Sequence, residues 1–469
     1  MADKPLFALD FLGTAIIADD GCEVSYAELK RLADDWAASI PPRSLVFLLV
    51  GNDLGSLVSY VACLNHGIVP LMLNEDIDAA ILSNLEETYH PFAIYKNGIQ
   101  IKHHSSDFAS QSDLRSVDIS TNLKSNNSPA LHPDLALLIT TSGSTGSPKL
   151  VRQSYKNIAA NTASIIEYLK LDAMERPITT LPMNYVYGLS IINTHLKIGA
   201  TLLMTKHGIM DREFWKFFTE QGATSFGGVP YTYEMLDRLM FFRRKLPSLR
   251  TMTQAGGKIL PELHQKFAEY AAKEGKNFVV MYGAAEATSR MGYLPPERAL
   301  DKVGSMGIAI PGGSFELVEG ELVYTGDNVT LGYAETAADL AKGDERGGRY
   351  VTGDMARVDE EGFYYIIGRK KRFLKIFGNR VSLDETERMI KGAFPDIDCA
   401  CVGTDDHMRI YLHPANQAIS NQTIKQLLDA VHQFVSEKTR LNPSAFEVVE
   451  IDKIPKNASG KTLYTQLFN

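Results

Sequence analysis

The first two-thirds of the chain alternate between short apolar runs and amphipathic stretches. "SLVFLLV" (44–50) leads into the helix-like "LGSLVSYVACLNHG" and then into the apolar "IVPLML" (68–73). The order returns with "ATLLMT" (200–205), "DREFWKFFTEQG" and "TSFGGVP" (224–230). It returns again with "LRTMTQAGG" (249–257), "PELHQKFAEYAAKEG" and "NFVVMYGA" (277–284), and Pro261 opens that helix where a missing N–H costs little. Apolar runs joined by helices predict parallel strands covered on both faces. The expected fold class is therefore α/β, with ligands bound beyond the carboxyl ends of the strands.

After residue 311 the period shortens to two. "FELVEGELVYTG" and "GFYYIIGR" alternate as half-buried antiparallel strands do, with a hairpin turn at "DEEG", and predict a β-barrel-like addition to the large domain. "SLDETERMIKGAF" follows, with Ser382 and Glu385 in capping-box spacing. A helix near Thr423 to Thr439, the β-like "FEVVEI" and the tail "KIPKNASGKTLYTQLFN" complete the chain. The change of pattern places a domain boundary close to Gly368–Lys371. It separates a large N-terminal domain (1–367) from a small α+β C-terminal domain (368–469).

Composition narrows the function classes. The chain has 469 residues, is 45% hydrophobic and carries a net charge of −8 with no basic block, which argues against a dedicated nucleic-acid surface. Cys22, Cys63, Cys399 and Cys401 form no CxxC pair and read as reduced thiols of a cytosolic protein. The start "MADKPLFALDFLG" lacks the pattern of a secretory signal, and no apolar run approaches the ~20 residues of a membrane span, so a cytoplasmic location is expected. The polar stretch His103 to Asp134 reads as a connector; His103 and His104 have no acidic or cysteine cluster nearby to make a metal site.

Candidate chemistry begins at "LLITTSGSTGSPKL" (137–150). Backbone N–H groups and the hydroxyls of Thr141, Ser142, Ser144 and Thr145 can converge on phosphate oxygens. Gly143 and Gly146 allow close approach, and Lys149 supplies positive charge. A strand-like run precedes the loop, and "SYKNIAANTASIIEYLK" follows as an amphipathic helix with Ile158, Thr162, Ile165, Ile166 and Leu169 on one face. The loop is not a Walker A motif: Pro148 precedes the lysine and Leu150 follows it, so no hydroxyl stands ready for magnesium. Further along, "MYGAAEATSR" sets Glu286 after a strand, where a carboxylate can hold Mg²⁺ against phosphates. Asp354, before one strand, and Arg369, after the next, are suited to accept and brace ribose hydroxyls. Lys461 lies in a Ser-Gly-Lys turn.

In this order the set resembles the AMP-forming adenylating superfamily of acyl- and aryl-CoA synthetases, peptide-synthetase adenylation domains and beetle luciferases. The resemblance runs from "SYAEL" (25–29) to the tail and is strongest at 140–149, 282–286, 352–369 and 453–461. It implies that residues 141–149 hold the pyrophosphate end of ATP, and that Gly256, Gly257 and Lys258 of "QAGGK" line the adenine. It further implies that Tyr282, beside Gly283, stacks on the base, that Glu286 binds Mg²⁺ and that Asp354 and Arg369 hold the ribose. Lys461 would act in adenylation, Lys371 would be the hinge, and Lys375 and Gly378 would turn toward the site for thioester formation. The implied reaction joins a carboxylic acid to ATP as an acyl-adenylate, releases pyrophosphate, and passes the acyl group to the thiol of coenzyme A or of a phosphopantetheinyl carrier protein.

Departures from the pattern are informative. Ala285 stands where the family usually has Thr, which removes a hydroxyl contact to the α-phosphate. Tyr185 stands where many acyl and aryl ligases carry His or another aromatic, and "NYVYGLS" (184–190) lacks the Asp that amino-acid-activating domains pair with the substrate ammonium. A plain acyl or aryl acid is therefore expected rather than a free α-amino acid, with Tyr185, Tyr187, Gly188, Gly228, Val229, Met252 and Ala287 as pocket candidates. The alternative is a degenerate nucleotide-binding protein of the same fold; Ala285 favours it, and Lys149, Glu286, Asp354, Arg369 and Lys461 oppose it.

Overall fold

The computed structural model describes residues 5–101, 129–140, 149–377, 379–414, 421–456 and 462–467. The connector histidines 103 and 104 and the loop residues 141–148 lie outside the described residues, as do Gly378 and Lys461. The chain divides into two compact units. One comprises Met1–Thr141, Ser147–Phe226 and Asn328–Gly347; the other comprises Ser142–Gly146, Gly227–Asp327 and Gly348–Asn469.

The first unit is built on a seven-stranded sheet. Its order is Gly332–Ala334, Leu150–Ser154, Leu135–Thr140, Val69–Asn74, Leu45–Val50, Ala93–Lys96 and Ile99–Ile101. The central pairings are parallel and those at both edges antiparallel. All six residues of Leu45–Val50 are buried, which is what its unbroken apolar run requires. Helix starts are fixed by side-chain caps: Ser25 accepts from the Glu28 N–H at 3.1 Å, and Asp53 from the Ser56 N–H at 2.9 Å.

Strand Leu150–Ser154 adds an element that the sequence reading did not single out between the Ser/Gly-rich loop and the expected helix. Thr140 pairs with Leu150 in antiparallel register, so the loop joins two adjacent strands, and the expected helix, Tyr155–Leu169, starts only after the second. Arg152 of that strand is fully buried. Its guanidinium pairs with Glu345 and donates to the carbonyls of Lys342, Tyr333 and Leu331. The distant segment 328–347 thereby gains its edge place in the first unit's sheet.

A five-stranded sheet runs in the order Ser225–Gly228, Thr251–Gln254, Asn277–Tyr282, Gly292–Tyr293 and Ile308–Ala309. Thr251–Gln254 and Asn277–Tyr282 are parallel and are linked by helix Pro261–Glu274, with Pro261 in its first turn and Gly275 as its left-handed cap at φ 63°. The period-two region forms a four-stranded antiparallel sheet from Gly313–Val318, Glu321–Gly326, Arg349–Val358 and Tyr364–Arg369. Beyond it, the hairpin Phe373–Ile376/Asn379–Ser382 leads to helix Leu383–Ala393, capped by Ser382, and to a sheet of Ile397–Thr404, His407–Pro414 and Phe446–Glu450. Helix Asn421–Thr439 supplies Val431 and Val435 to the core of this segment, which also contains Ile376, Ile390, Ile410 and Phe446. The predicted boundary at 367/368 falls inside the second unit. Cys63, Cys399 and Cys401 are buried free thiols, pushed up by desolvation, and Cys22 is exposed. Among the described residues no helix is long and apolar enough to cross a membrane.

Candidate active site

Three neighbouring strands of the five-stranded sheet lead into the segments where the sequence placed Gly228 and Val229, Gly256 to Lys258, and Tyr282 to Ala287. The Ala255 N–H donates to the Gly228 carbonyl at 3.2 Å and ties the first two ends together. Gly256 turns at φ +84°, and Gly257 lies so close to Pro230 that an added Cβ would sit 3.1 Å from its ring. Met252 and Ala287 are fully buried. Lys258 is exposed overall, but its ammonium donates to the Ile366 carbonyl at 2.8 Å. Desolvation, helped by the nearby Arg388 and Arg357 guanidinium groups, pushes it down to about 8.

Asp354 and Arg369 are cross-strand partners of the four-stranded sheet. The Asp354 side chain is only 7% exposed, and its carboxylate accepts from Arg369 Nε at 2.7 Å. The Tyr282 hydroxyl donates to the other carboxylate oxygen. Burial raises the Tyr282 phenol well above its ordinary value, and the adjacent carboxylate adds to that, so it stays a proton donor. Desolvation works to lower the Arg369 pKa, but Asp354 together with Tyr282, Tyr350 and Asp384 outweighs it and the net direction is up. A carboxylate offers about four acceptor positions, so one such group can serve several donors at once. The sequence identified Asp354, Arg369 and Tyr282 singly; their convergence on one carboxylate comes from the fold.

Glu286 is half-buried in the short turn Ala285–Ala287. Gly283 is required ahead of it, because a Cβ there would lie 1.7 Å from the Ser289 carbonyl oxygen. Behind it Thr288 adopts φ 64°, ψ −57°, and the Ser289 N–H reaches the Ala287 carbonyl at 2.7 Å. That is a γ-turn of the rarer hand on a β-branched residue, a strained conformation of the kind found at functional sites. Mg²⁺ typically takes one or two carboxylates and completes its shell with water and substrate phosphates. A single carboxylate on a constrained turn fits that donor set, and among the described residues no cluster of three or more metal-ligating side chains offers an all-protein site.

In the first unit, Lys149 closes the strand-to-strand loop. Its ammonium pairs with Glu335 at 2.6 Å and lies 5.7 Å from the Tyr333 ring centre. Both partners of the ion pair are at least half exposed, so the pair is worth at most about 1 kcal/mol and yields readily to a phosphate. Tyr185 precedes helix Val186–Lys197, its ring centre 6.2 Å from that of the buried Tyr187. At Gly188 a Cβ would sit 2.5 Å from the Pro182 carbonyl oxygen, so the glycine lets this helix pack against the preceding turn.

Lys371 is exposed in the short turn Lys370–Arg372, and Lys375 is exposed on the hairpin that follows, with its N–H on Asp405 Oδ1 at 2.8 Å. Sequence reading missed the network beneath them. Asp384 accepts from the Arg369 N–H at 3.0 Å and from Arg372 Nε; Arg372 also pairs with Glu387 at 2.6 Å. Glu387 in turn accepts from the Tyr464 hydroxyl at 2.9 Å, and the Arg372 guanidinium lies 3.6 Å from the Tyr464 ring centre. Helical spacing of Asp384 and Glu387 is the one signal in the sequence that points to this arrangement.

Comparisons with known proteins identify the family. The family model described as AMP-binding enzyme matches residues 11–334. An indoleacetate–CoA ligase of Aromatoleum aromaticum is 31% identical over 71% of this chain and 67% of its own length. An oxalate–CoA ligase of Arabidopsis thaliana is 26% identical over 92% of this chain and 89% of its own. Among solved structures, the o-succinylbenzoate CoA synthetase of Bacillus subtilis in complex with an acyl-adenylate intermediate superposes with a TM-score of 0.77 at 21% identity. That alignment covers 98% of this chain and 96% of the other. With a family model spanning more than half of its length, this chain belongs to the AMP-binding enzyme family, within the AMP-forming adenylating superfamily.

Proposed function

We propose that this protein is an AMP-forming acid–thiol ligase. In the first step the oxygen of a carboxylic acid attacks the α-phosphorus of ATP, and pyrophosphate leaves. In the second a thiol attacks the acyl carbon, and AMP leaves. The observation that carries the reading is the Asp354 carboxylate, held by Arg369 and Tyr282 in the same unit as Glu286 and the Gly256–Gly257 turn. Asp354 and Arg369 would fix the ribose and Tyr282 the base, while Lys149 and residues 141–146 would steady the leaving pyrophosphate. Mg²⁺, held by Glu286, would supply charge neutralisation on the phosphates. Lys461, outside the described residues, takes its catalytic role in adenylation from the resemblance alone, as Lys375 does in thioester formation.

The substrate is a small acyl or aryl acid rather than a free α-amino acid, because residues 184–190 contain no acidic side chain. The relatives named for indoleacetate and oxalate support a small carboxylic acid. Coenzyme A is the favoured acceptor, with a carrier-protein phosphopantetheine offering the same thiol arm. A mobile domain from residue 368, hinged at Lys371, is supported by the separate core that residues 374–446 build among themselves. The absence of a membrane-crossing helix among the described residues is compatible with a cytoplasmic location. Pyrophosphate exchange into ATP, screened over a panel of carboxylic acids, tests the reading. Stimulation by at least one acid is expected. ATP binding without exchange for any acid would instead make this a nucleotide-binding member of the fold without ligase activity.

A further inference from the structure

Ile376 pairs with Asn379 across the hairpin Phe373–Ile376/Asn379–Ser382, so Phe377 is the first of the two residues that turn it. Its backbone lies at φ +46°, in the left-handed region. Two-residue hairpin loops with a positive φ at this position are normally filled by Asn, Asp or Gly, and a bulky side chain there is an outlier. The conformation is enforced by a neighbouring turn, Asp405–Asp406, which joins Ile397–Thr404 to His407–Pro414. The Lys375 N–H donates to Asp405 Oδ1 at 2.8 Å, and the Asp406 N–H donates to the Lys375 carbonyl at 3.0 Å. The Phe377 N–H completes the set by donating to Asp406 Oδ1 at 2.7 Å.

The backbone is braced, but the ring is not covered: Phe377 is 59% exposed. Burial alternates along the strand that leads to it, with Leu374 and Ile376 in the core and Lys375 and Phe377 on the solvent side. An aromatic ring left in water on a strained turn is unfavourable on two counts, and strain held in place by its surroundings is typical of functional positions. The tip thus presents an ammonium and an aromatic ring two residues apart, which suits a ligand with an anionic end and a chain of methylene and amide groups. We propose that Phe377 binds the acyl acceptor: its ring packs against the pantetheine arm of coenzyme A during thioester formation. This rests on the ligase reading above, in which Lys375 serves that step, and it confines the contribution of Phe377 to the second half-reaction.

The test is Phe377→Asn, which removes the ring and supplies a residue suited to a positive φ, so the variant should melt at or above the wild-type temperature. Pyrophosphate exchange, driven by the carboxylic acid that stimulates it best, should stay within about twofold of wild type. The KM for coenzyme A in thioester formation should rise by about tenfold, the order of one lost aromatic contact. The KM for pantetheine, which keeps the arm and lacks the nucleotide, should rise by a similar factor, and Phe377→Tyr should behave as wild type. If the asparagine variant does not fold, Phe377→Gly, which also accepts the backbone conformation, takes its place. Unchanged KM values for both thiols overturn the proposal, as does an equal fall in exchange and in thioester formation, which would make the ring structural. A rise confined to coenzyme A overturns it too, since the ring would then be serving the nucleotide. Failure of every acid to stimulate exchange in the wild-type protein would remove the ligase reading itself, and this inference with it.

Discussion

Replacing Asp354 with Asn tests the centre of the site while preserving its shape. The carboxylate is almost fully buried and receives Arg369 and the Tyr282 hydroxyl, so its charge is weakly screened. A ribose hydroxyl donating to it makes a hydrogen bond to a charged group, worth about 1.5–3 kcal/mol. Asn retains one acceptor oxygen but loses the charge, so we take the loss as one such bond. That weakens ATP binding by roughly 10- to 150-fold. Calorimetry without acid gives the dissociation constant directly, and a thermal melt shows whether the variant is folded. The 2′-deoxy nucleotide supplies the second arm of a double-substitution cycle: dATP should bind the wild-type protein about as poorly as ATP binds the variant, and deletion of both should be far from additive. An ATP affinity within twofold of wild type, or an equal dATP penalty in both proteins, would refute the assignment of Asp354 to the ribose.

Gly283→Ala drives a methyl into the Ser289 carbonyl and should destabilise the protein by about 3 kcal/mol, read from urea unfolding, with loss of exchange activity. Arg152→Met strands Glu345 and the carbonyls that the guanidinium serves, for a loss of about 3 kcal/mol in the same measurement; a melt like that of wild type would contradict the role given to the network. Lys258, with its ammonium pushed down to about 8, should be acylated ahead of the other lysines, with a rate midpoint near pH 8 in a pulse-labelling series. Its folded pKa lies below the ordinary 10.5, so the unfolded chain binds more protons between those values. Wild-type stability relative to Lys258→Ala should therefore rise with pH across that window; a fall would reverse the argument.

Strands and helices whose burial follows a simple apolar period were legible from the residues alone: Leu45–Val50, Asn277–Tyr282, the pair Gly313–Val318/Glu321–Gly326 and helix Pro261–Glu274. Strand Leu150–Ser154 was not, because Arg152 and Gln153 break its apolar run. All five of its residues are nevertheless buried, since Arg152 finds carbonyls from segment 328–347, nearly 180 residues away. Helix Tyr155–Leu169 likewise buries Asn157 and Asn161 beside the predicted Ile158 and Ile165, and Asn157 donates to the distant Val329 carbonyl. Polar groups satisfied by partners remote in sequence leave no local signal. The same limit applies to the site: Asp354, Arg369 and Glu286 could be picked out by residue type and order, whereas the Tyr282 hydroxyl bond, the strain at Thr288 and the Arg372–Glu387–Tyr464 contacts required the chain to be folded.

The pairing of Thr140 with Leu150 has a mechanical consequence. Two residues held in register across adjacent strands keep the ends of the intervening segment about 5 Å apart whether or not a ligand is present. Drawing those ends together is accomplished when the sheet forms, so nucleotide need not supply the entropy of closure. Loop-closure entropy grows only slowly with length, by about 0.6 kcal/mol per doubling, so the sheet should tolerate a longer or shorter segment here. If the segment holds phosphate as proposed, its length becomes a means of altering nucleotide affinity separately from fold stability.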